Sequence, residues 1–355
     1  MEDKIDIMSL TKSELKDFFT EIGEKPFRAK QLFSWLHNKC VYDYDEMTNL
    51  SKSLRDTLKE KTYISHIKPY NVQRSALDPT AKYLWELEDG NMIESVWMEY
   101  KHGNSVCISS QVGCACGCTF CASTIDGVVR DVTAGEMLLQ VMRMQELEGK
   151  KVSNIVIMGS GEPLLNLENL IKFIHIINDE DGQNISQRNI TVSTCGIIPK
   201  MYELADEKLQ ITLAISLHAA THEKREKIMP IEKAYPLDEL MKTCDYYFEK
   251  TGRRLSFEFA LINGVNDNEE SVVKGQNDSP EKARELAALI KGMNCHVNLI
   301  KYNPIKERDY SNVADTQALA FKNMLEKNGV NVTIRRGLGL DIDGACGQLR
   351  RRYTR

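Results

Sequence analysis

Cys114, Cys118 and Cys121 stand in the order C-x3-C-x2-C within Gly113-Cys114-Ala115-Cys116-Gly117-Cys118-Thr119-Phe120-Cys121. Three thiolates on one short loop can hold three irons of a cubane 4Fe-4S cluster and leave the fourth iron open to another ligand. A structural zinc site is the competing reading, yet zinc normally takes four ligands in paired C-x2-C or Cys/His elements, and no second pair stands nearby. Cys116, two residues from both Cys114 and Cys118, is expected to be a non-ligand. Of ten cysteines, five fall between Cys107 and Cys121. Such crowding in a long chain, with no basic and apolar leader pattern at its start, points to metal or redox chemistry rather than a disulfide framework.

Four further polar groups follow strand-like runs: Gly159-Ser160-Gly161-Glu162-Pro163, Ser193-Thr194-Cys195-Gly196, Ser216-Leu217-His218, and Asn303. Each alone reads as a capped helix start or a tight turn. Their shared location raises them together, because a polar cofactor with amino, carboxylate and ribose groups needs several donors and acceptors on one rim.

The elements that must position these groups alternate regularly. β-rich runs at 106–110, 154–158, 189–193, 211–216, 255–261 and 296–300 are separated by helical patterns at 133–148, 167–177, 199–206, 236–250 and 279–291, with another at 314–328. Six β-then-α units predict an α/β fold with a parallel sheet, helices outside, closed or partly closed as a barrel, and chemistry at the strand C-termini. Ahead of them, residues 1–75 read as a small helical domain with helices at 13–22, 27–37 and 47–58. A hairpin extension follows at 76–100, from runs at 83–87 and 92–98 around Glu88-Asp89-Gly90-Asn91. The core then spans 101–335 and a C-terminal segment 336–355.

A chain of 355 residues with 42% hydrophobic and 27% charged content can bury a full core. No apolar run approaches bilayer length, so a cytoplasmic address and no membrane partner are expected, with a monomer as the default state. The net charge of −5 does not advertise a polyanion partner. Local basic sets exist nonetheless: Lys12, Lys16, Lys25, Arg28 and Lys30 near the start, and Arg335, Arg336, Arg350, Arg351, Arg352 and Arg355 near the end. Either set reads as a solvated face or as a grip on RNA.

The cysteine motif, with Phe120 before its last cysteine, resembles the radical S-adenosylmethionine (SAM) superfamily, in which SAM binds the open iron. From about residue 27 to 350 the chain more closely resembles the RlmN and Cfr family of radical SAM RNA methyltransferases, the RlmN branch above all. The likeness rests on Cys107-Ile108-Ser109-Ser110-Gln111-Val112-Gly113-Cys114, Gly161-Glu162-Pro163-Leu164-Leu165-Asn166, Ile215-Ser216-Leu217-His218-Ala219, Cys295-His296-Val297-Asn298-Leu299-Ile300 and Asp341-Ile342-Asp343-Gly344-Ala345-Cys346-Gly347-Gln348-Leu349.

The resemblance implies a partial (β/α)6 radical SAM barrel that methylates carbon 2 of adenine-2503 in 23S rRNA and of adenine-37 in tRNA. It implies SAM contacts from Gly161, Glu162, Ser193, Ser216, Leu217, His218 and Asn303, and cluster ligation by Cys114, Cys118 and Cys121. Cys346 would carry the methyl group, Cys107 would be its redox partner, and Glu94 the candidate proton acceptor. Two cysteines are needed because carbon 2 of adenine is electrophilic and cannot take a methyl cation directly. In the family scheme one SAM methylates Cys346, and a radical from a second SAM activates that methyl group for addition to the ring. Cys107 then attacks the Cys346 sulfur, releasing methylated RNA and leaving a disulfide. An external electron donor such as flavodoxin or ferredoxin would reset the system. The helical N-terminal domain and the arginine-rich end are the candidates for gripping RNA, whose target base must leave its stack.

Two features depart from the family pattern. Ser160 occupies a position where methionine is usual, and 268–278 looks like a polar loop insertion with no function inferred. A second enzyme reading is the Cfr branch, which methylates carbon 8 of the same adenine and confers antibiotic resistance. Ala122-Ser123-Thr124 and Val332-Thr333-Ile334-Arg335-Arg336 look more like the RlmN branch. A reading from another class is a non-catalytic iron-sulfur or zinc protein that binds RNA and senses redox state. It would need the cysteines but not SAM, and gives no reason for Glu94, Gly161-Glu162 and Cys346 to match together.

Overall fold

The structure is a computed structural model that describes residues 4–264, 280–305, 307–344 and 347–353. Cys346, the segment 268–278 and Arg355 lie outside the described residues.

One long sheet organises the chain. Its antiparallel part is β1 (Ile67–Arg74), β2 (Thr80–Leu87), β3 (Met92–Tyr100) and β4 (Gly103–Cys107). Its parallel part continues from β4 through β5 (Asn154–Ile157), β6 (Ile190–Thr194), β7 (Thr212–Ser216), β8 (Leu255–Gly264), β9 (Cys295–Lys301) and β10 (Val332–Ile334). Strand order follows chain order from β1 to β10, and the two ends do not pair, so the barrel is partial. The expected architecture is therefore present, with helices between successive parallel strands.

Local chemistry explains where the helices begin. Thr133 accepts from Glu136 N at 3.1 Å while the Glu136 carboxylate accepts from Thr133 N at 2.9 Å, a reciprocal cap for the helix Ala134–Glu148. Gly149 ends that helix in the left-handed region at φ 62°. Thr11 and Glu14 cap the helix Lys12–Glu21 in the same way. Val106, Ile155, Val192, Leu213, Phe257 and Val297 are fully buried in the sheet.

Three differences from the expected elements stand out. Residues 67–74, expected within the helical domain, form β1, because their alternation of exposed and half-buried side chains suits a strand paired along one edge of β2. The run Val332–Ile334 adds a seventh parallel strand beside β9. A short helix, His222–Ile228, follows β7 in a segment to which the sequence pattern assigned no element.

The C-terminal segment folds back onto the antiparallel part of the sheet. Gln73 and Asp343 exchange hydrogen bonds of 2.9 and 3.0 Å, Asp341 accepts from Ser75 Oγ and Ala76 N, and Gly339 N donates to Asp78. The hairpin extension is thus a platform for the residues that flank Cys346.

Candidate active site

The C-terminal ends of the parallel strands surround a cavity of about 530 Å³. Cys107, at the end of β4, lines it together with Cys114, Cys118 and Cys121, and so do Gly161, Glu162, Ser193, Ser216, His218 and Asn303. Leu217 does not; it is buried in the core and contributes through its main chain, its N–H donating to Glu258 O at 3.0 Å. Glu94 does not line the cavity either.

The cysteine loop is shaped by its own backbone. Thr124 Oγ1 donates to Cys118 O and Cys121 O, both at 3.0 Å, and Cys114 N donates to Gly127 O at 3.0 Å. Ser160, the departure from the family pattern, is buried and donates to Gly113 O at 3.2 Å, tying the start of this loop to the Gly161-Glu162 turn. Among the described residues, the grouping of three ligand atoms within 4.8 Å is Cys116, Glu162 and Cys195. The sulfurs of Cys114, Cys118 and Cys121 do not all lie within that distance of one another. Burial, and after it the neighbouring Cys121 and Cys114 thiols, raise the Cys118 thiol far above its usual range, so its thiolate calls for a nearby cation. The donor set fits a 4Fe-4S cluster.

The Gly161-Glu162 turn is held from beneath. Glu162 N donates to Gln111 Oε1 at 2.9 Å, and its carboxylate accepts from Cys195 N at 2.8 Å and Leu164 N at 3.0 Å. Burial raises its pKa, opposed by those N–H donors and by side-chain hydrogen bonds from Thr194 and Cys195. Gly161 sits at φ +106°, and a Cβ there would meet Gln111 N at 2.6 Å. Gly161→Ala must push the turn off Gln111. The expected result is a loss of about 100-fold in SAM cleavage by reduced, reconstituted protein, with an unchanged circular dichroism spectrum. Wild-type cleavage by this variant would show that the close approach is unnecessary.

His218 lies in the left-handed region at φ 57°, its ring edge-on to Phe120 with centroids 4.9 Å apart. Its Nδ1 accepts from Ala260 N at 3.0 Å, and burial lowers its pKa to about 3, so the ring is neutral with its proton on Nε2. Ser193 and Ser216 hydroxyls meet at 3.2 Å across adjacent strand ends.

Glu94 lies outside the cavity lining, 4% exposed, and pairs at 2.9 Å with the fully buried Lys82. Its two oxygens accept from Gly347 N at 2.7 Å and Arg350 N at 2.5 Å, and Lys82 also donates to Asp343 O at 2.6 Å. The pair clamps the chain on both sides of Cys346. A Cβ on Gly347 would meet Ser123 N at 2.7 Å, so this turn packs directly on the chain leaving the cysteine loop.

Residues 5–64 match the ribosomal RNA large subunit methyltransferase N-terminal domain, and residues 108–274 match the radical SAM superfamily. A relative from Lachnospira eligens, named "Probable dual-specificity RNA methyltransferase RlmN", is 58% identical over 348 residues, 98% of this chain and 96% of the relative. The chain belongs to the RlmN family of radical SAM RNA methyltransferases. A relative of the same name from Lachnoclostridium phytofermentans is 55% identical over 352 residues, 99% of this chain and 96% of that one. The crystal structure of a radical SAM methyltransferase from Sphaerobacter thermophilus aligns with a TM-score of 0.88 at 38% identity, covering 97% of this chain and 98% of that one. Radical SAM membership brings with it a 4Fe-4S cluster and SAM.

Within this RlmN-family site, sequence patterns gave no hint of Arg225. Fully buried, it pairs with the buried Glu232 and donates to Cys195 O at 2.6 Å, Leu217 O at 3.3 Å and Ser216 O at 3.4 Å. It ties together the two strand ends that carry Ser193 and Ser216. A lone arginine in His222-Glu223-Lys224-Arg225-Glu226-Lys227 looks like any solvated helix face. Cys195 was equally hidden: its sulfur lies 3.5 Å from that of Cys116.

The arginine-rich end needs a correction. Arg350 is buried, Arg351 pairs with Asp126 at 3.1 Å and Glu307 at 3.3 Å, and Arg352 pairs with Asp343 at 2.6 Å. Acidic partners face Arg351 and Arg352, and these pairs fasten the C-terminal segment. No described helix is long and apolar enough to cross a membrane.

Proposed function

We propose that this chain methylates carbon 2 of adenine-2503 in 23S rRNA and of adenine-37 in tRNA, through a methylated Cys346. The observation that carries this reading is the clamp around Cys346: Lys82 and Glu94 hold Asp343, Gly347 and Arg350, while Gly344 lines the same cavity as Cys107 and the three motif cysteines. The dual specificity named for the relatives supports two RNA substrates.

Cys114, Cys118 and Cys121 would hold the cluster, and Gly161, Glu162, Ser193, Ser216, Leu217, His218 and Asn303 would hold SAM. When bound, these groups supply a methyl group and a reductive radical-generating cleavage, with two SAM consumed per turnover. The chain's own residues do the rest. Cys346, as thiolate, is the nucleophile that takes the methyl group. Glu94 is the candidate acceptor of the carbon-2 proton, supported by its hydrogen bond to the residue that follows Cys346. Cys107 attacks the Cys346 sulfur to free the product and leaves a disulfide, and external reductant, with an electron donor such as flavodoxin or ferredoxin, resets the pair and supplies the electron for the reductive cleavage. The exposed Lys16 and Lys25 of the N-terminal helical domain are candidate phosphate contacts, and the enzyme acts as a cytoplasmic monomer.

Nucleoside analysis of 23S rRNA and tRNA from cells with and without this chain tests the reading. 2-Methyladenosine should disappear from both RNAs together; methylation at carbon 8 instead would overturn it. Anaerobically prepared protein should hold one 4Fe-4S cluster. Cys114→Ala, Cys118→Ala and Cys121→Ala should each abolish it by iron and sulfide analysis, while Cys116→Ala retains it. A full cluster in Cys118→Ala would remove that residue from the ligand set.

A further inference from the structure

The segments Cys295-His296-Val297-Asn298-Leu299-Ile300 and Val332-Thr333-Ile334-Arg335-Arg336 have no part in the chemistry above, yet their alternate residues meet inside the barrel. His296 and Asn298 from β9, Thr333 and Arg335 at β10, and Ser256 and Glu258 from β8 line a second cavity of about 580 Å³. It lies toward the strand N-termini: Thr212 and Leu255 open their strands, His296 is the second residue of β9, and Arg253 and Arg254 stand just before β8. Branched apolar side chains usually fill this half of a parallel barrel. Polar lining there costs desolvation unless something uses it.

The polar groups form a directed network. Asn298 Nδ2 donates to Glu258 Oε1 at 2.8 Å and Ser256 Oγ at 3.1 Å, and Asn298 Oδ1 accepts from Thr333 Oγ1 at 2.8 Å. His296 Nε2 lies 3.0 Å from Thr333 Oγ1. Glu258 Oε2 is left buried with no hydrogen-bond partner. Burial raises the Glu258 pKa, and the charge of Arg335 opposes that rise most strongly. Arg253 spends its Nε on Ile211 O at 3.2 Å, and among the described residues neither Arg253 nor Arg254 forms an ion pair. Three arginines and one carboxylate thus line this cavity, an excess of positive charge with one unused acceptor.

We propose that this cavity is a second ligand site for a small oxyanion that also carries a hydrogen-bond donor. Arg253 and Arg254 take the anionic oxygens, and Glu258 Oε2 accepts the donor. Arg335, Glu258 and Met158 line both this cavity and the one at the strand C-termini, so they form the wall between the two sites. The assignment does not depend on the RNA substrate.

Inorganic phosphate and sulfate separate the charge from the donor, because at neutral pH phosphate keeps an O–H and sulfate has none. Isothermal titration calorimetry on the anaerobically reconstituted full chain should show one phosphate bound per chain, at least about tenfold tighter than sulfate, the worth of one charge-assisted hydrogen bond. Arg253→Gln/Arg254→Gln should abolish that binding with cluster content unchanged. In Glu258→Gln the bond from Asn298 fixes the amide with its oxygen toward Asn298 and its NH2 toward the ligand, so the preference for phosphate over sulfate should vanish. This single variant keeps the test decisive if the double variant does not fold. Absence of phosphate binding, or equal weak binding of both ions that neither substitution changes, would mean an adventitious ion only and would overturn the proposal.

Discussion

Cys107→Ala is expected to accumulate a covalent protein–RNA species. The residue ends β4 and lines the strand-end cavity with the cluster cysteines, and Gly344, two residues before Cys346, lines it too. If Cys346 joins its methyl carbon to the adenine, the product leaves only when a second thiolate attacks the Cys346 sulfur. Alanine cannot make that attack, while methylation of Cys346 beforehand needs no thiol at position 107. The adduct should therefore run as a slow band on a denaturing gel and collapse, after nuclease digestion, to the protein plus a short nucleotide remnant. Cys346→Ala should accept no methyl group and form no adduct. Normal turnover by Cys107→Ala without an adduct would make Cys107 an ordinary strand cysteine.

Lys82→Met should be the most damaging change outside the cysteines. Lys82 is fully buried and Glu94 is 4% exposed, so removing the ammonium leaves a buried carboxylate without its cation. Breaking such a pair costs about 3–5 kcal/mol. The same substitution frees Asp343 O and loosens the hold on the described residues that flank position 346. Denaturant unfolding should register the stability loss, and alkylation of Cys346 should accelerate. The double replacement Lys82→Met/Glu94→Gln should recover much of the stability, because no uncompensated charge remains, yet RNA methylation should stay low because the clamp is gone. Wild-type stability in Lys82→Met would show that the pair does not anchor this turn.

Local sequence was enough to determine the alternation of strands and helices, the cysteine loop, and the polar groups that end successive strands. Those features are short-range: apolar periodicity, capping pairs such as Thr133 with Glu136, and ligand spacing are all written within a few residues. Edges and couplings across long separations needed the folded chain. β1 lies at the edge of the sheet with several exposed residues and was absorbed into the neighbouring helical segment, and β10 was too short to announce itself. Arg225 reads as surface charge until its guanidinium is seen joining two strand ends, and Arg351 and Arg352 read as an RNA grip until their acidic partners appear. Glu94 and the Cys346 turn are some 250 residues apart, and only tertiary packing brings the carboxylate to Gly347 N. Sequence by itself thus determined which chemistry the chain's residues are suited to. Tertiary structure decided which of them act together, because a buried charge or donor finds its partner through the fold and not through its neighbours in the chain.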